Sequence, residues 1–180
     1  MTEITLASDP SAMRRLSRWR VPLGFLGGAA VLWLARPDAA SLGWGAAIAV
    51  AGEAVRVWAA GHLEKSREVT RSGPYRFTRH PLYLGSTIMA AGVAVASRSA
   101  AVWAIVAAYV VVMIGSAVRS EESFLRKRFG ATYDDYRAGR LGNEPRPFSV
   151  ARAMRNREWR AVVGLLVAFA LLWAKLLASA

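Results

Sequence analysis

The sequence predicts an all-α integral membrane protein with about five transmembrane helices and a cytoplasmic cap of helices and loops. Three observations carry this reading. Hydrophobic residues make up 54% of the 180, yet the formal net charge is +12, a combination that one soluble core accommodates badly. The two kinds of residue are segregated: apolar runs at about 21–35, 39–60, 82–96, 100–118 and 161–178 alternate with polar stretches. Several of these runs approach the roughly 20 residues that a bilayer-spanning helix needs. Finally, 20 of the 24 Lys and Arg fall before the first run, between the second and third, or between the fourth and fifth. Because Lys and Arg collect on the inner side, the N-terminus is expected in the cytoplasm and the C-terminus outside.

The first run is short, so it must borrow flanking residues, sit in thinned bilayer or form part of a partial hairpin. Arg14, Arg15, Arg18 and Arg20 before it imitate a signal peptide, but Glu3, Asp9 and the poor cleavage region Arg36-Pro37-Asp38 argue against one. Those last three residues form a tight turn into the second run. There Glu53 and Arg56 stand three apart and can pair on one helix face, which lowers the cost of each in lipid. Structural pairing is the preferred reading of these two.

The third run opens at Pro81-Leu82, is again short, and turns at Ser97-Arg98-Ser99 into the fourth. Phe124, Leu125 and Phe129 share one helical side, so the fourth span is expected to continue as a helix into the cytoplasm until Gly130 stops it. Two glycines and two prolines make 139–147 an irregular loop. The basic segment 152–160 reads as an interfacial helix leading into the fifth span. The seven tryptophans, Trp19, Trp33, Trp44, Trp58, Trp103, Trp159 and Trp173, mostly fall near span ends, as an interfacial belt places them. The whole chain, 1–180, reads as one membrane domain, with an N-terminal helical hairpin at 1–60, a core at 61–160 and a C-terminal span at 161–180.

With no cysteine there is no disulfide, thiolate metal site or Cys nucleophile. His62 and His80 are the only histidines, too few for a histidine-based metal cluster, so no metal site is expected. The basic charge is explained by topology and by attraction to anionic lipid headgroups. It lacks the aromatic interleaving or motif that would favour nucleic acid.

Chemistry concentrates in the two long connections, 61–81 and 119–160, which a helical hairpin returns to the same membrane face. Proline is favoured at the first helical position, so Pro81 places His80 at the N-cap, beside the positive end of the third span. That end suits an anion, with Arg79 as a charged partner. Gly85 lets a ligand approach the backbone and Tyr83 offers a ring face and a hydroxyl, although small residues here also suit helix packing, the preferred reading of Gly92. Glu121 and Glu122 point about 100° apart. Glu122 has Arg119 and Arg126 at salt-bridge spacing. Glu121 shares an apolar stripe with Ala117, Val118, Phe124 and Leu125 and has no local partner, which makes it the stronger functional candidate.

Taken together, Gly73-Pro74-Tyr75-Arg76, Arg79-His80-Pro81-Leu82-Tyr83-Leu84-Gly85-Ser86, Glu121-Glu122 and Phe129-Gly130-Ala131-Thr132-Tyr133-Asp134-Asp135-Tyr136 closely resemble the isoprenylcysteine carboxyl methyltransferase and phospholipid N-methyltransferase superfamily. The resemblance covers roughly residues 61–137. It implies S-adenosylmethionine as methyl donor, bound by Arg79, His80, Pro81, Tyr83, Gly85, Glu121 and Glu122, with Glu121 and His80 acting in catalysis. In agreement, no G-x-G-x-x-G in a strand-helix context occurs. The acceptor is expected to be lipophilic and to come from the bilayer: an isoprenylcysteine-type carboxylate, a small isoprenoid acid or a phospholipid amine. O- and N-methylation stay open, as does the oligomeric state. An Arg-rich, Lys-poor, Ala-rich composition points to a bacterial inner membrane. The alternatives are an NADPH-dependent membrane reductase of sterol-reductase type, which shares a His-Pro element and an aromatic tail, and a non-catalytic lipid-binding membrane protein. The paired glutamates favour the methyltransferase.

Overall fold

The computed structural model describes residue 22, residues 24–65 and residues 67–179. The N-terminal arginines, Trp19 and the first residue of the first apolar run lie outside them. Every regular element among the described residues is helical. In chain order these are α1 (Gly24–Leu34), α2 (Ala39–His62), a 3-10 turn (Gly73–Arg76), α3 (Pro81–Ser97) and α4 (Ala100–Phe129). They are followed by α5 (Ala131–Arg137), α6 (Val150–Arg155) and α7 (Trp159–Ser179).

The expected boundaries hold where local chemistry sets them. Asp38 caps α2 through a reciprocal box with Ser41, Pro81 occupies the first turn of α3 behind His80 at the N-cap, and Gly130 ends α4 with φ of 51°, a left-handed conformation glycine adopts at little cost. As expected, α4 runs unbroken from its apolar part to Phe129, although residues Val110–Ile114 form a π turn within it. The span count is coarser than expected. Among the described residues only α4 and α7 are both long and apolar enough to cross a membrane; α1 and α3 are apolar but shorter, and α2, at 24 residues, carries Glu53 and Arg56. Just 17% of the apolar window of α4 and 6% of that of α7 is buried, so their outer faces have no protein to meet. All six described tryptophans are exposed.

An antiparallel seam of small residues joins α2 to α3. A methyl group on Gly52 would lie 2.7 Å from the Gly85 carbonyl oxygen, and one on Gly92 would lie 2.6 Å from that of Gly45. Such contact distances require glycine and are the usual means by which helices approach closely in lipid. At the end holding the two short turns, Arg36 N–H donates to the Ser97 carbonyl at 2.8 Å and Arg98 pairs with Asp38. Beside them Ala35, Leu42, Ala96 and Leu172 form a small apolar core, and Lys175 of α7 donates to the Trp33 carbonyl at 2.8 Å.

At the opposite end, the segment expected to be a basic interfacial helix forms α6 and the turn into α7, with Arg155, Arg157 and Arg160 exposed and Arg152 and Asn156 turned toward α2. Helix ends leave carbonyls without partners, and those of α2 are met from the tail. Asn156 Nδ2 donates to the Ala60 and Leu63 carbonyls at 2.9 Å each; Arg152 donates to the Gly61 carbonyl at 2.6 Å and pairs with Glu64 at 2.8 Å. Arg152 thus exchanges water for a charge-assisted contact with the end of α2.

Candidate functional site

The 3-10 turn, the start of α3, the far end of α4 and α5 converge beyond the α2 end around a cavity of about 590 Å³, within the size range of small-molecule sites. Arg79, Leu82 and Tyr83 line it from the α3 side. Ser116, Ala117, Ser120, Glu121, Phe124 and Leu125 line it from α4. The remaining wall is Leu63, Glu64, Lys65, Glu68, Val69 and Thr70, with Arg56 below it and Tyr75, Tyr133 and Tyr136 closing the rest. The expected convergence of the two polar clusters at one end of the helices is therefore present.

Glu121 faces the cavity, as its apolar stripe requires. Among the described residues its one basic neighbour within 4 Å is His80, with Nδ1 at 3.9 Å from Oε2, too long for a hydrogen bond. That buried ring nitrogen has no hydrogen-bond partner. Glu122 departs from expectation. Its partners are His80 Nε2 at 3.2 Å and Arg79 Nη1 at 3.6 Å, while Arg126 turns to Asp134 at 3.0 Å. The helical spacing to Arg119 and Arg126 misled because a tertiary neighbour, the start of α3, offers the Arg79 guanidinium and the His80 ring at once. Glu122 thus holds Arg79 and His80 in place.

Of the other expected site residues, His80 and Pro81 lie at the α3 start without lining the cavity, and Gly85 is turned away from it. A methyl group there would sit 2.6 Å from both the Gly52 carbonyl oxygen and Arg56 Cγ. The space over the Gly85 backbone is filled by α2, so helix packing, the alternative reading of this glycine, accounts for it. Arg56 uses that gap to reach Ser86 and the Leu82 carbonyl at 3.3 Å. It also pairs with the buried Glu158 at 2.7 Å and with Glu53 at 3.7 Å. The i,i+3 pair read from the sequence is real but secondary to Glu158.

Sequence reasoning missed the wall that Leu63, Glu64, Lys65, Glu68, Val69 and Thr70 form, for which no local signal exists. It also passed over Ser120, Ala117 and Ser116 as a lining set, though the helical stripe through Glu121 leads to them. Tyr133 and Tyr136 of α5 line the cavity. Tyr133 is 1% exposed, and Tyr136 donates its hydroxyl to the Tyr75 carbonyl at 2.8 Å. Asp134 and Asp135 form exposed pairs with Arg126 and Arg140. Burial raises the phenol pKa of Tyr75 and Tyr133, and pushes that of Tyr136 up to about 12, so all three stay neutral at physiological pH. Among the described residues no group of three or more His, Cys, Asp or Glu could hold a metal ion.

A family model described as phospholipid methyltransferase matches residues 45–132, the stretch that contains the α2–α3 seam, the α3 start and Glu121. The nickel-cobalt-cadmium resistance protein NccN of Alcaligenes xylosoxydans xylosoxydans is 34% identical over 83 residues, which cover 45% of this chain and 38% of that protein. The cobalt-zinc-cadmium resistance protein CzcN of Cupriavidus metallidurans is 30% identical over 125 residues, covering 64% of this chain and 56% of that protein. The matches thus span about half or less of these curated relatives. No solved structure matches the chain. Residues 45–132 thus carry a phospholipid methyltransferase domain match, within the isoprenylcysteine and phospholipid methyltransferase superfamily that the motifs resemble.

Proposed function

We propose that the chain is an S-adenosylmethionine-dependent membrane methyltransferase acting on a lipophilic acceptor that arrives from the bilayer. The observation that carries this reading is the cavity itself, which places a cation, Arg79, and a carboxylate without a close partner, Glu121, among tyrosines and apolar side chains. A zwitterionic, aromatic, positively charged donor needs that mixture. Arg79 would take its carboxylate, and Glu121 its ammonium or ribose hydroxyls. The donor, when bound, supplies a methyl group activated by a sulfonium. Glu122 keeps Arg79 and His80 oriented, while Leu82, Phe124 and Leu125 exclude water, which strengthens every charge interaction inside. Holding a nucleophile at the methyl supplies much of the acceleration. A carboxylate acceptor needs no base; an amine must lose a proton, for which Glu121 and His80 are the groups at hand.

In this reading α1, α2 and α3 join α4 and α7 in crossing the bilayer. The cavity end faces the cytoplasm of a bacterial cell, where the basic connections meet anionic headgroups. Equilibrium binding on the purified full chain tests the proposal. S-adenosylhomocysteine is expected to bind and NADPH is not. NADPH binding without S-adenosylhomocysteine would turn the reading to a reductase, and binding of neither would leave a lipid-binding protein.

A further inference from the structure

The six wall residues Leu63, Glu64, Lys65, Glu68, Val69 and Thr70 line the cavity but belong to no helix or strand, so their place must be set from outside. The stretch 142–156 sets it. Arg152 pairs with Glu64 at 2.8 Å and Arg146 pairs with Glu68. Arg146 also reaches Glu144 at 3.5 Å, and Glu144 pairs with Arg71 at 3.3 Å, which donates to the Gly142 carbonyl at 3.0 Å. Uncharged contacts anchor the same stretch. Ser149 N–H donates to the Gly61 carbonyl at 3.2 Å, and the Phe148 ring rests on the bare backbone of Gly61, where a Cβ would lie 2.1 Å from Cε2.

The charges across this contact alternate in sign. Wall carboxylates meet arginines of the later stretch, while Arg71 meets its carboxylate. Glu64 has Arg155 and Arg67 as more distant partners, at 3.6 and 3.9 Å. Lys65, the remaining wall charge, has no ion-pair partner among the described residues, so the grip falls on the two glutamates. The Arg146 and Arg152 side chains are only 17% and 14% exposed, so breaking either pair leaves a sheltered charge. The Arg140 pair with Asp135, by contrast, is exposed and lies within the cap.

We propose that residues 142–156 are an ionic strap: Arg146 and Arg152 are positioning residues that hold Glu68 and Glu64, and so the wall, in place, and thereby set how fast a ligand of the cavity exchanges with water. The strap itself stands apart from the methyltransferase reading, which enters only in naming the ligand.

The chain has no cysteine, so a single thiol can report on the wall. Ala117→Cys places one on the α4 side of the cavity, at a position 7% exposed, and Ser179→Cys places a control at the exposed end of α7. Labelling of the purified full chain by a small neutral maleimide is expected to be slower at position 117. Arg146→Gln and Arg152→Gln are each expected to speed it there by about 5-fold or more, because the wall opens more often, whereas Arg146→Lys and Arg140→Gln leave it within about twofold. With the strap unaltered, raising salt from about 0.05 to about 1 M should speed labelling at position 117 by about twofold or more, through screening of the pairs. The rate at position 179 is expected to respond to none of these changes. A rate at position 117 that ignores both salt and the Gln variants, or equal acceleration at both positions, would overturn the strap; the salt series decides if a Gln variant does not fold. Release of S-adenosylhomocysteine from the cysteine-free chain is expected to quicken in step with labelling, and a release rate that stays constant would overturn the exchange role. Strap-dependent labelling in a chain that binds no S-adenosylhomocysteine would remove the methyltransferase reading and leave the strap standing.

Discussion

The two sides of α3 are built on opposite rules. Toward α2 the helix presents Gly85 and Gly92 and approaches so closely that a single methyl group on either would collide with backbone. Toward α4 it presents Arg79, Leu82 and Tyr83 across a cavity of about 590 Å³. The closed side fixes where α3 stands; the open side uses that fixed position to aim side chains. Rigid support behind a loosely filled pocket is what a binding site needs, and the contrast shows why the small residues of the third apolar run do structural work while the larger ones next to them face the ligand space.

The largest expected effect comes from breaking the closed side. Gly52→Leu places a branched side chain where even a Cβ lies 2.6 Å from Met89 N and 2.7 Å from the Gly85 carbonyl oxygen. A loss of at least about 3 kcal/mol, above the usual range for overpacking because backbone must move, is expected as a large drop in thermal midpoint in detergent. Glycines with nothing near their Cβ, such as Gly142 and Gly164, serve as controls and should accept alanine with little change.

On the open side the effect shifts from stability to binding. Glu121→Gln is expected to leave the thermal midpoint near wild type and to weaken donor binding by on the order of 10- to 100-fold, the size of a charge-assisted hydrogen bond. Glu122→Gln removes a partly exposed pair with Arg79 and His80 and acts through those two groups, so a loss of roughly 2- to 5-fold is expected. Calorimetry on both variants decides the order, and a larger loss at Glu122 would reverse the roles assigned here.

The smallest effect concerns the tyrosine that ties the cap down. The Tyr136 pKa is pushed up to about 12, with burial as the largest cause, from the ordinary value near 10. The folded state therefore holds the phenol proton more tightly than the unfolded chain, so this contribution to stability is complete below about pH 10 and is lost as pH rises through 12. Tyr136→Phe should lower stability at neutral pH by about 0.5–1.5 kcal/mol through the missing hydrogen bond and flatten the decline between pH 10 and 12. Chemical denaturation across that window measures both.

The same contrast explains what the sequence revealed. The start of α3 was legible because proline at the first helical position leaves little freedom in where His80 stands. Continuation of α4 and the outward turn of Glu121 toward the ligand space followed from one apolar stripe of regular period. Gly85 carried two readings because a bare backbone serves a helix neighbour and a ligand equally well, and only the position of α2 decides between them. Glu122 was assigned to neighbours on its own helix, since spacing reports only local partners, whereas the groups that hold it lie 42 residues away in the case of His80. The span count stays coarser for a related reason. Apolar runs mark where helices form, but α1 and α3 are too short for length alone to say how deep they reach. Glu158, Arg152 and Asn156 left no periodic trace at all, because each meets its partner across about half of the chain.

That last separation has a consequence for the order of events at the ribosome. The carbonyls of Ala60, Gly61 and Leu63 receive their hydrogen bonds from residues made 96, 91 and 93 positions later. At synthesis rates of about 5–20 residues per second, the wall beside α2 waits on the order of 5–20 s for the groups that complete it. The helices that carry the two polar clusters are already translated by then, so the chamber is assembled open and sealed only as the final helix emerges. A nascent chain released before Asn156 would hold most of the binding side chains and still lack the enclosure that makes them a site.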